Sequence, residues 1–441
     1  MGDMSISVTE ELERVKKENE LLRKELNELK KESKHDHKEL SLEEYRRYGR
    51  QMIVEDFGGL EGQKKLKNAN VLVVGAGGLG SPSLPYLVGA GVGHIGIVDN
   101  DVVDSSNLHR QVLHDTTKVG VFKCESAKEQ LSKLNPNIKI DTYSVRLDAF
   151  NAFEIFKDYD VILDCTDTPL ARYLISDVAV NLGKTVVSAS GLGTEGQVTI
   201  LNFKNIGPCY RCFYPTPPNP YAVNSCSEGG VIGPCIGLVG TMMAVETLKV
   251  LLDIYTIENF KPFLMLYSGF PNQTLRNFKM RGRQSSCQCC GKNPTITKNT
   301  IESGEINYSL FCGKRNYNVL EAHERMNVSQ FHENYIVNSP SNQVILLDVR
   351  PPHHFGISHF DNAINISVPQ LTKLNGSFSE LQKKLPSLNK NSEVVVLCRY
   401  GNDSQVATRM LKDNFGLKNV KDVQGGFFKY IDDIDNSIPQ Y

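Results

Sequence analysis

An apolar run, Val71-Leu-Val-Val74, breaks into Gly75-Ala-Gly-Gly-Leu-Gly80 and passes straight into helix-forming residues. Few local patterns constrain a fold more. The glycines let the backbone turn tightly and approach an anion, and the helix that follows aims its first N–H dipoles at the same point. Around it, apolar strands alternate with helices. The strands are expected at Val71–Val74, His94–Asp99, Asp160–Asp164, Thr185–Ala189 and Gln197–Leu201, with helices at Ser81–Gly89, Lys123–Leu134 and Leu170–Leu182. That alternation predicts a doubly wound α/β domain holding a nucleotide.

The chain has 441 residues, too many for one compact core. Residues 1–34 are read as an N-terminal heptad helix. Leu12, Val15, Asn19, Leu22, Leu26 and Leu29 form its seam, with Glu11, Glu18 and Glu25 at g and Lys16, Arg23 and Lys30 at e. It is expected either as a parallel two-stranded coil or as an amphipathic helix lying on its own protein. Residues 35–291 form the large domain and 292–325 a polar linker. Residues 326–441 form a smaller α/β unit with strands at Val344–Asp348 and Val394–Cys398.

With 49 basic against 50 acidic residues, nothing favours nonspecific nucleic-acid binding. The amino terminus does not read as a signal peptide. The longest apolar stretch, around Gly237 to Leu252, is interrupted by Glu246 and Lys249, so no membrane span is expected. Eleven cysteines without an export signal point to metal or thiol chemistry in a reducing, cytoplasmic setting.

Asp99, placed 24 residues after Gly75, suits ribose hydroxyls. On that fingerprint alone a dinucleotide oxidoreductase fits equally. The next segment, Ser106-Asn107-Leu108-His109-Arg110-Gln111, and then Lys123, add cations and amides near the phosphates. Those suit attack on the α-phosphorus of ATP, with Asp167 placed for Mg²⁺. Taken singly, Lys123 reads as a solvated lysine at a helix start. Cys209-Tyr-Arg-Cys212 and Cys287-Gln-Cys-Cys290 form two pairs suited to a closed tetrahedral Zn²⁺ site, across 74 intervening residues. Cys289 is an alternative ligand, and a redox role for one pair is the competing reading. Cys124, Cys165, Cys235 and Cys312 are expected as small core residues.

Cys226 lies in a loop, Asn224-Ser-Cys-Ser-Glu-Gly-Gly230, where it is either reactive or merely exposed. Cys398 ends an apolar strand and is followed by Arg399-Tyr-Gly-Asn-Asp-Ser404. A loop wrapped around one thiol and ending at a helix N-terminus offers N–H groups to a thiolate or persulfide. The plain alternative is a buried strand cysteine.

Gly-Ala-Gly-Gly-Leu-Gly, Ile-Val-Asp-Asn-Asp, Ser-Asn-Leu-His-Arg-Gln, Asp-Cys-Thr-Asp-Thr and the two CxxC pairs resemble the adenylating enzymes that activate ubiquitin-like proteins. That likeness covers about Tyr45 to Gly291. Leu346-Leu-Asp-Val-Arg350, Ile357-Ser-His-Phe-Asp-Asn-Ala-Ile-Asn365, the Cys398 loop and Gly425-Gly-Phe resemble rhodanese-like domains. Together they are similar to the eukaryotic two-domain adenylyltransferase–sulfurtransferases. The resemblance implies a Rossmann-like adenylation domain with structural zinc, in which Gly78, Asp99, Ser106–Arg110, Lys123, Asp167 and Thr168 contact ATP. It implies that Arg50 reaches the ATP of a partner protomer, hence a homodimer. It further implies that Cys226 and Cys398 are catalytic, that the substrate is a ubiquitin-related modifier ending in Gly-Gly, and that a persulfide donor supplies sulfur for a thiocarboxylate used in tRNA 2-thiolation or molybdopterin synthesis. The competing expectation is a conjugation-type activator that passes its partner on as a Cys226 thioester, with the last domain as a docking module.

Overall fold

A computed structural model describes residues 15–17, 40–220, 229–313, 317–338 and 344–441. The heptad seam and Cys226 lie outside the described residues, apart from a helical fragment at 15–17. The chain divides into two compact units, Met1–Gly313 and Lys314–Tyr441.

The first unit is built on one eight-stranded sheet, in the order β3-β2-β1-β4-β5-β6-β7-β8. Its strands are β1 (Asn70–Val74), β2 (His94–Val98), β3 (Lys139–Tyr143), β4 (Val161–Asp164), β5 (Thr185–Leu192), β6 (Glu195–Leu201), β7 (Phe263–Ser268) and β8 (Thr274–Lys279). The pairs from β3 through β5 are parallel, and β5 through β8 continue antiparallel. Val71 to Val74 are buried on both faces, as a central parallel strand requires. Their side chains alternate between two cores: Val71 and Val73 join Ile95, Leu163 and Met243, whereas Leu72 and Val74 join Phe156, Ile162 and Tyr173.

Helix Gly233–Leu251 meets the length and apolarity of a membrane span. Cys235, Val239, Met243, Ala244, Thr247 and Val250 on it are nonetheless buried. Its one fully interior acid, Glu246, accepts from Lys249 Nζ at 2.7 Å and Tyr255 Oη at 2.6 Å. It is the central core helix of this unit.

The expected linker, 292–325, is not a linker over its first part. Ile296, Ile301 and Tyr308 are buried against the first unit's core, and the division falls after Gly313. Short apolar anchors among polar residues hid that packing from the pattern.

The second unit carries a five-stranded, all-parallel sheet in the order β11-β10-β12-β13-β9. Its strands are β9 (Arg325–Met326), β10 (Val344–Asp348), β11 (Ala363–Asn365), β12 (Glu393–Leu397) and β13 (Asn419–Val423). Ile345, Leu347, Val394 and Val396 face one core with Leu411, while Leu346, Val395 and Leu397 face another with Phe427 and Tyr430. Period-two alternation thus covers both faces of the sheet. β12 delivers its C-terminal end straight into the Cys398 loop.

Candidate functional site

The switch in strand order between β1 and β4 opens a cleft of about 1210 Å³ at the carboxyl ends of the parallel strands, where ligands bind in doubly wound sheets. Gly75, at φ +102°, turns the chain out of β1, and a Cβ at Gly80 would stand 2.0 Å from the Gly75 carbonyl oxygen. Only glycine at both positions lets the helix Gly80–Ala90 start this close to the strand.

Gly78, Asp99, Asn107, Arg110, Lys123, Asp167 and Thr168 all line this cleft. Asp99 accepts from the Ala76 N–H at 2.7 Å through Oδ2 and from the Asp101 N–H at 2.8 Å through Oδ1. It therefore ties the glycine turn to the segment after β2, and burial pushes its carboxyl up. Lys123 is no solvated helix-start lysine: its side chain is 6% exposed, with Nζ 2.9 Å from Asp101 Oδ2. Arg110 donates to Asn107 Oδ1 at 2.6 Å and to the Ser106 carbonyl at 3.2 Å.

Ser106, Leu108 and His109 belong to the turn that carries these groups rather than to the cleft wall. Ser106 binds Asp104 Oδ1 through N at 2.8 Å and Oγ at 2.5 Å, and His109 Nε2 lies 2.7 Å from Arg110 Nη1. Asp167 is exposed at the rim, and Thr168 Oγ1 caps the helix Pro169–Asn181 by accepting from the Ala171 N–H at 3.3 Å. Beneath them, buried Asp164 accepts from Thr166 Oγ1 and Ser188 Oγ, each at 2.7 Å, and fixes the turn. Arg50 stands exposed in the last turn of the helix Leu42–Met52, outside this cleft's lining.

Two further side chains complete the cleft: Arg172, which no motif marked, and Gln111, the last residue of the Ser106–Gln111 segment. Arg172 is buried, with Nη2 donating to the carbonyls of Thr166 at 2.7 Å and Ala189 at 2.8 Å. Gln111 is also buried, and its Oε1 has no partner among the described residues. An orphaned acceptor in a polar cleft is ready for a ligand's donor. A nucleotide fits here: a glycine turn for phosphate, a buried cation beside it, and an unspent amide oxygen.

Cys209, Cys212, Cys287 and Cys290 bring their sulfurs within 4.8 Å of one another. Cys209 lies 3.8 Å from Cys212 and 3.5 Å from Cys287, and Cys212 lies 3.3 Å from Cys290. Tetrahedral sulfur ligands 2.3 Å from a zinc ion stand about 3.8 Å apart, so the set fits such an ion. Cys289 is not part of that set, and its thiol lies 4.0 Å from the Asp177 carbonyl. Cys124, Cys165 and Cys235 are buried, and Cys312 is partly exposed.

In the second unit Cys398 is 2% exposed. Its Sγ receives the Gly401 N–H at 3.1 Å and lies 3.3 Å from Ser404 Oγ. Burial pushes this thiol up, and the charge of Asp403 adds to that. The Arg399 guanidinium is stacked among rings, 4.5 Å from Phe428 and 4.9 Å from Tyr441. Gly426, at φ +66°, passes so close that a Cβ there would stand 2.4 Å from the Cys398 carbonyl oxygen.

Comparison with known proteins agrees with both halves. The ThiF family matches residues 48–289, and the rhodanese-like domain matches residues 333–433. The chain is 70% identical over 431 residues to the adenylyltransferase and sulfurtransferase UBA4 of Candida glabrata, covering 98% of each chain. Identity to the UBA4 protein of Saccharomyces cerevisiae strain YJM789 is 68% over 433 residues, again 98% of each. It is 63% to that of Vanderwaltozyma polyspora over 441 residues, the whole of both chains. With nucleotide cleft, cysteine cluster and sulfur loop on one polypeptide, the chain belongs to the ThiF family and is an adenylyltransferase and sulfurtransferase with a carboxy-terminal rhodanese-like domain.

Proposed function

We propose that the chain converts the C-terminal glycine carboxylate of a ubiquitin-related modifier into a thiocarboxylate. The carboxylate attacks the α-phosphorus of ATP in the cleft between β1 and β4, and pyrophosphate leaves. Gly78 and the helix start behind it hold phosphate, Lys123 and Arg110 offset the charge that develops there, and Asp99 takes the ribose hydroxyls. Asp167 at the rim would hold Mg²⁺, which shields the phosphates when bound. A persulfide on Cys398 then attacks the acyl-adenylate and AMP leaves. Cys226 either displaces AMP first, forming a thioester that the Cys398 persulfide attacks in place of the adenylate, or acts as the thiol that releases the product. In the second case a Cys226–Cys398 disulfide remains for an external dithiol to reduce.

Zinc in the four-cysteine site is structural: four thiolates leave no open position for substrate. The product serves tRNA 2-thiolation in the cytoplasm, and the enzyme works as a homodimer in which Arg50 reaches the partner's ATP. The observation that carries this reading is the pairing, on one chain, of a phosphate-cradling cleft with a thiol held by a loop N–H.

The test is the intact mass of a Gly-Gly-ending modifier after incubation with the protein, Mg·ATP and a sulfur donor. Exchange of one carboxylate oxygen for sulfur, dependent on ATP and Cys398, is expected. Pyrophosphate release without sulfur on the modifier would leave only activation and favour transfer as a Cys226 thioester.

A further inference from the structure

Four elements of the second unit meet behind Cys398. β9 supplies Arg325, the end of β12 supplies Cys398, the first turn of the helix Asp403–Asp413 supplies Ser404, and β13 supplies Asp422. The Cys398 thiol donates to Ser404 Oγ at 3.3 Å, and the Ser404 hydroxyl donates to Asp422 Oδ2 at 3.1 Å. Arg325 grips the carboxylate from the other side, with Nε 2.8 Å from Oδ1 and Nη2 3.0 Å from Oδ2. The same Nη2 reaches the Gly401 carbonyl at 3.1 Å, which joins the carboxylate's anchor to the sulfur loop. Ser404 and Asp422 are both fully buried.

The direction of this chain is fixed by chemistry. An ionised carboxylate only accepts, so the serine hydroxyl must donate to Asp422 and is left to accept from the thiol. A carboxylate buried on a strand inside a parallel sheet is costly unless paired. Arg325 meets that need, and Oδ2 still faces the serine.

We propose that Asp422, acting through Ser404 Oγ, is the positioning residue that takes the Cys398 proton before sulfur is accepted. This rests on reading Cys398 as the sulfur carrier. The thiol proton passes to Ser404 Oγ as the serine's own proton passes to Asp422 Oδ2. A thiolate and a neutral carboxyl result, with no net change of charge. The thiolate keeps the Gly401 N–H and attacks the outer sulfur of a donor persulfide, R–S–SH. The donor's S–S bond breaks, a new one forms on Cys398, and R–S⁻ leaves. Burial pushes the Asp422 carboxyl up, against the pull of Arg325 and together with the charge of Glu324. Asp403 is the acid whose charge opposes the thiolate directly.

A proton kept within such a pair makes the thiolate fraction independent of bulk pH between the pair's two ionisations. A solitary thiol instead gains thiolate about tenfold per pH unit below its pKa. The test uses the full chain and iodoacetamide, with alkylation at Cys398 followed by peptide mass from pH 6 to pH 8. Wild type should give a nearly flat rate. Ser404→Ala, which removes one buried oxygen, and Asp422→Asn, which keeps the shape but cannot take the proton, should rise about tenfold per unit and be about tenfold slower at pH 6. A wild-type rate that climbs as steeply as the variants', or variants as flat as wild type, overturns the relay. If Asp422→Asn does not fold, the Ser404→Ala profile decides. Wild type is also incubated with polysulfide. Absence of added sulfur on Cys398 sinks the carrier reading itself, whereas sulfur loading with a steep pH profile sinks only the relay.

Discussion

Arg211 and Asp177 form a two-point ion pair sealed inside the first unit, with Nε 2.9 Å from Oδ1 and Nη2 2.8 Å from Oδ2. Arg211 lies within the Cys209–Cys212 pair, and Asp177 lies on the helix Pro169–Asn181. Tyr308 donates to the same carboxylate at 3.0 Å, and the guanidinium sits 4.6 Å from the Phe311 ring. One cysteine knuckle is thereby bolted to the nucleotide domain. Asp177→Ala leaves a buried cation unpaired and should cost about 3–5 kcal/mol. Denaturant unfolding measures this, and an unchanged midpoint would refute the role given to the pair.

Metal content should separate the four clustered cysteines from their neighbour. Cys287→Ala should lose bound zinc and lower stability, because three thiolates leave the tetrahedron open. Cys289→Ala, whose thiol is directed at the Asp177 carbonyl, should keep the metal. Metal per chain by mass spectrometry checks both, and stoichiometric zinc in Cys287→Ala would be decisive against the assignment.

Adenylation and sulfur loading should come apart by mutation. Lys123→Ala removes a buried cation from the cleft and is expected to slow ATP–pyrophosphate exchange about 10²–10³-fold. Asp99→Ala should impair the same reaction through the ribose and the glycine turn. Both variants should still gain sulfur on Cys398 as wild type does.

Gly426→Ala tests the reverse. Its φ of +66° and a Cβ 2.4 Å from the Cys398 carbonyl force the sulfur loop to move. A strained backbone position of this kind costs about 1–3 kcal/mol. Sulfur transfer should fall while pyrophosphate exchange persists, and equal loss of both would contradict a local effect.

Glu324 gives a pH-dependent contribution of known sign. Lys412 Nζ at 2.5 Å, the Glu321 N–H and Arg409 hold its carboxyl below the usual range. A lowered folded pKa stabilises above the unfolded value, about 4.3, and that stability is lost as pH falls through the folded pKa. Glu324→Gln should therefore lower the Tm at pH 7, and the gap from wild type should close as the pH drops below about 4. A gap that persists in acid would assign the effect to packing.

The strands with long apolar runs were legible because burial on both faces leaves no polar position: β1, β2, β4 and β12 fall within a residue of expectation. β3, Lys-Ile-Asp-Thr-Tyr, and β8, Thr-Leu-Arg-Asn-Phe-Lys, lie at the two edges of the sheet and carry too many polar residues to announce themselves. The glycine turn, Asp99, Lys123 and the CxxC pairs were readable because each type serves one chemistry at a recognisable spacing. Arg172, Ser404, Asp422 and Arg325 were not, because they act by meeting in space. Arg325 and Asp422 stand far apart in sequence, and only the pairing of β13 with β9 makes them neighbours. The packing of Ile301 and Tyr308 was hidden for the same reason.

The 2% exposure of Cys398 adds access to acidity as a condition on its chemistry. A small reagent should therefore reach the sulfur more readily than a bulky one. If Cys398 carries sulfur as proposed, its burial should shield the loaded atom from thiols dissolved around it.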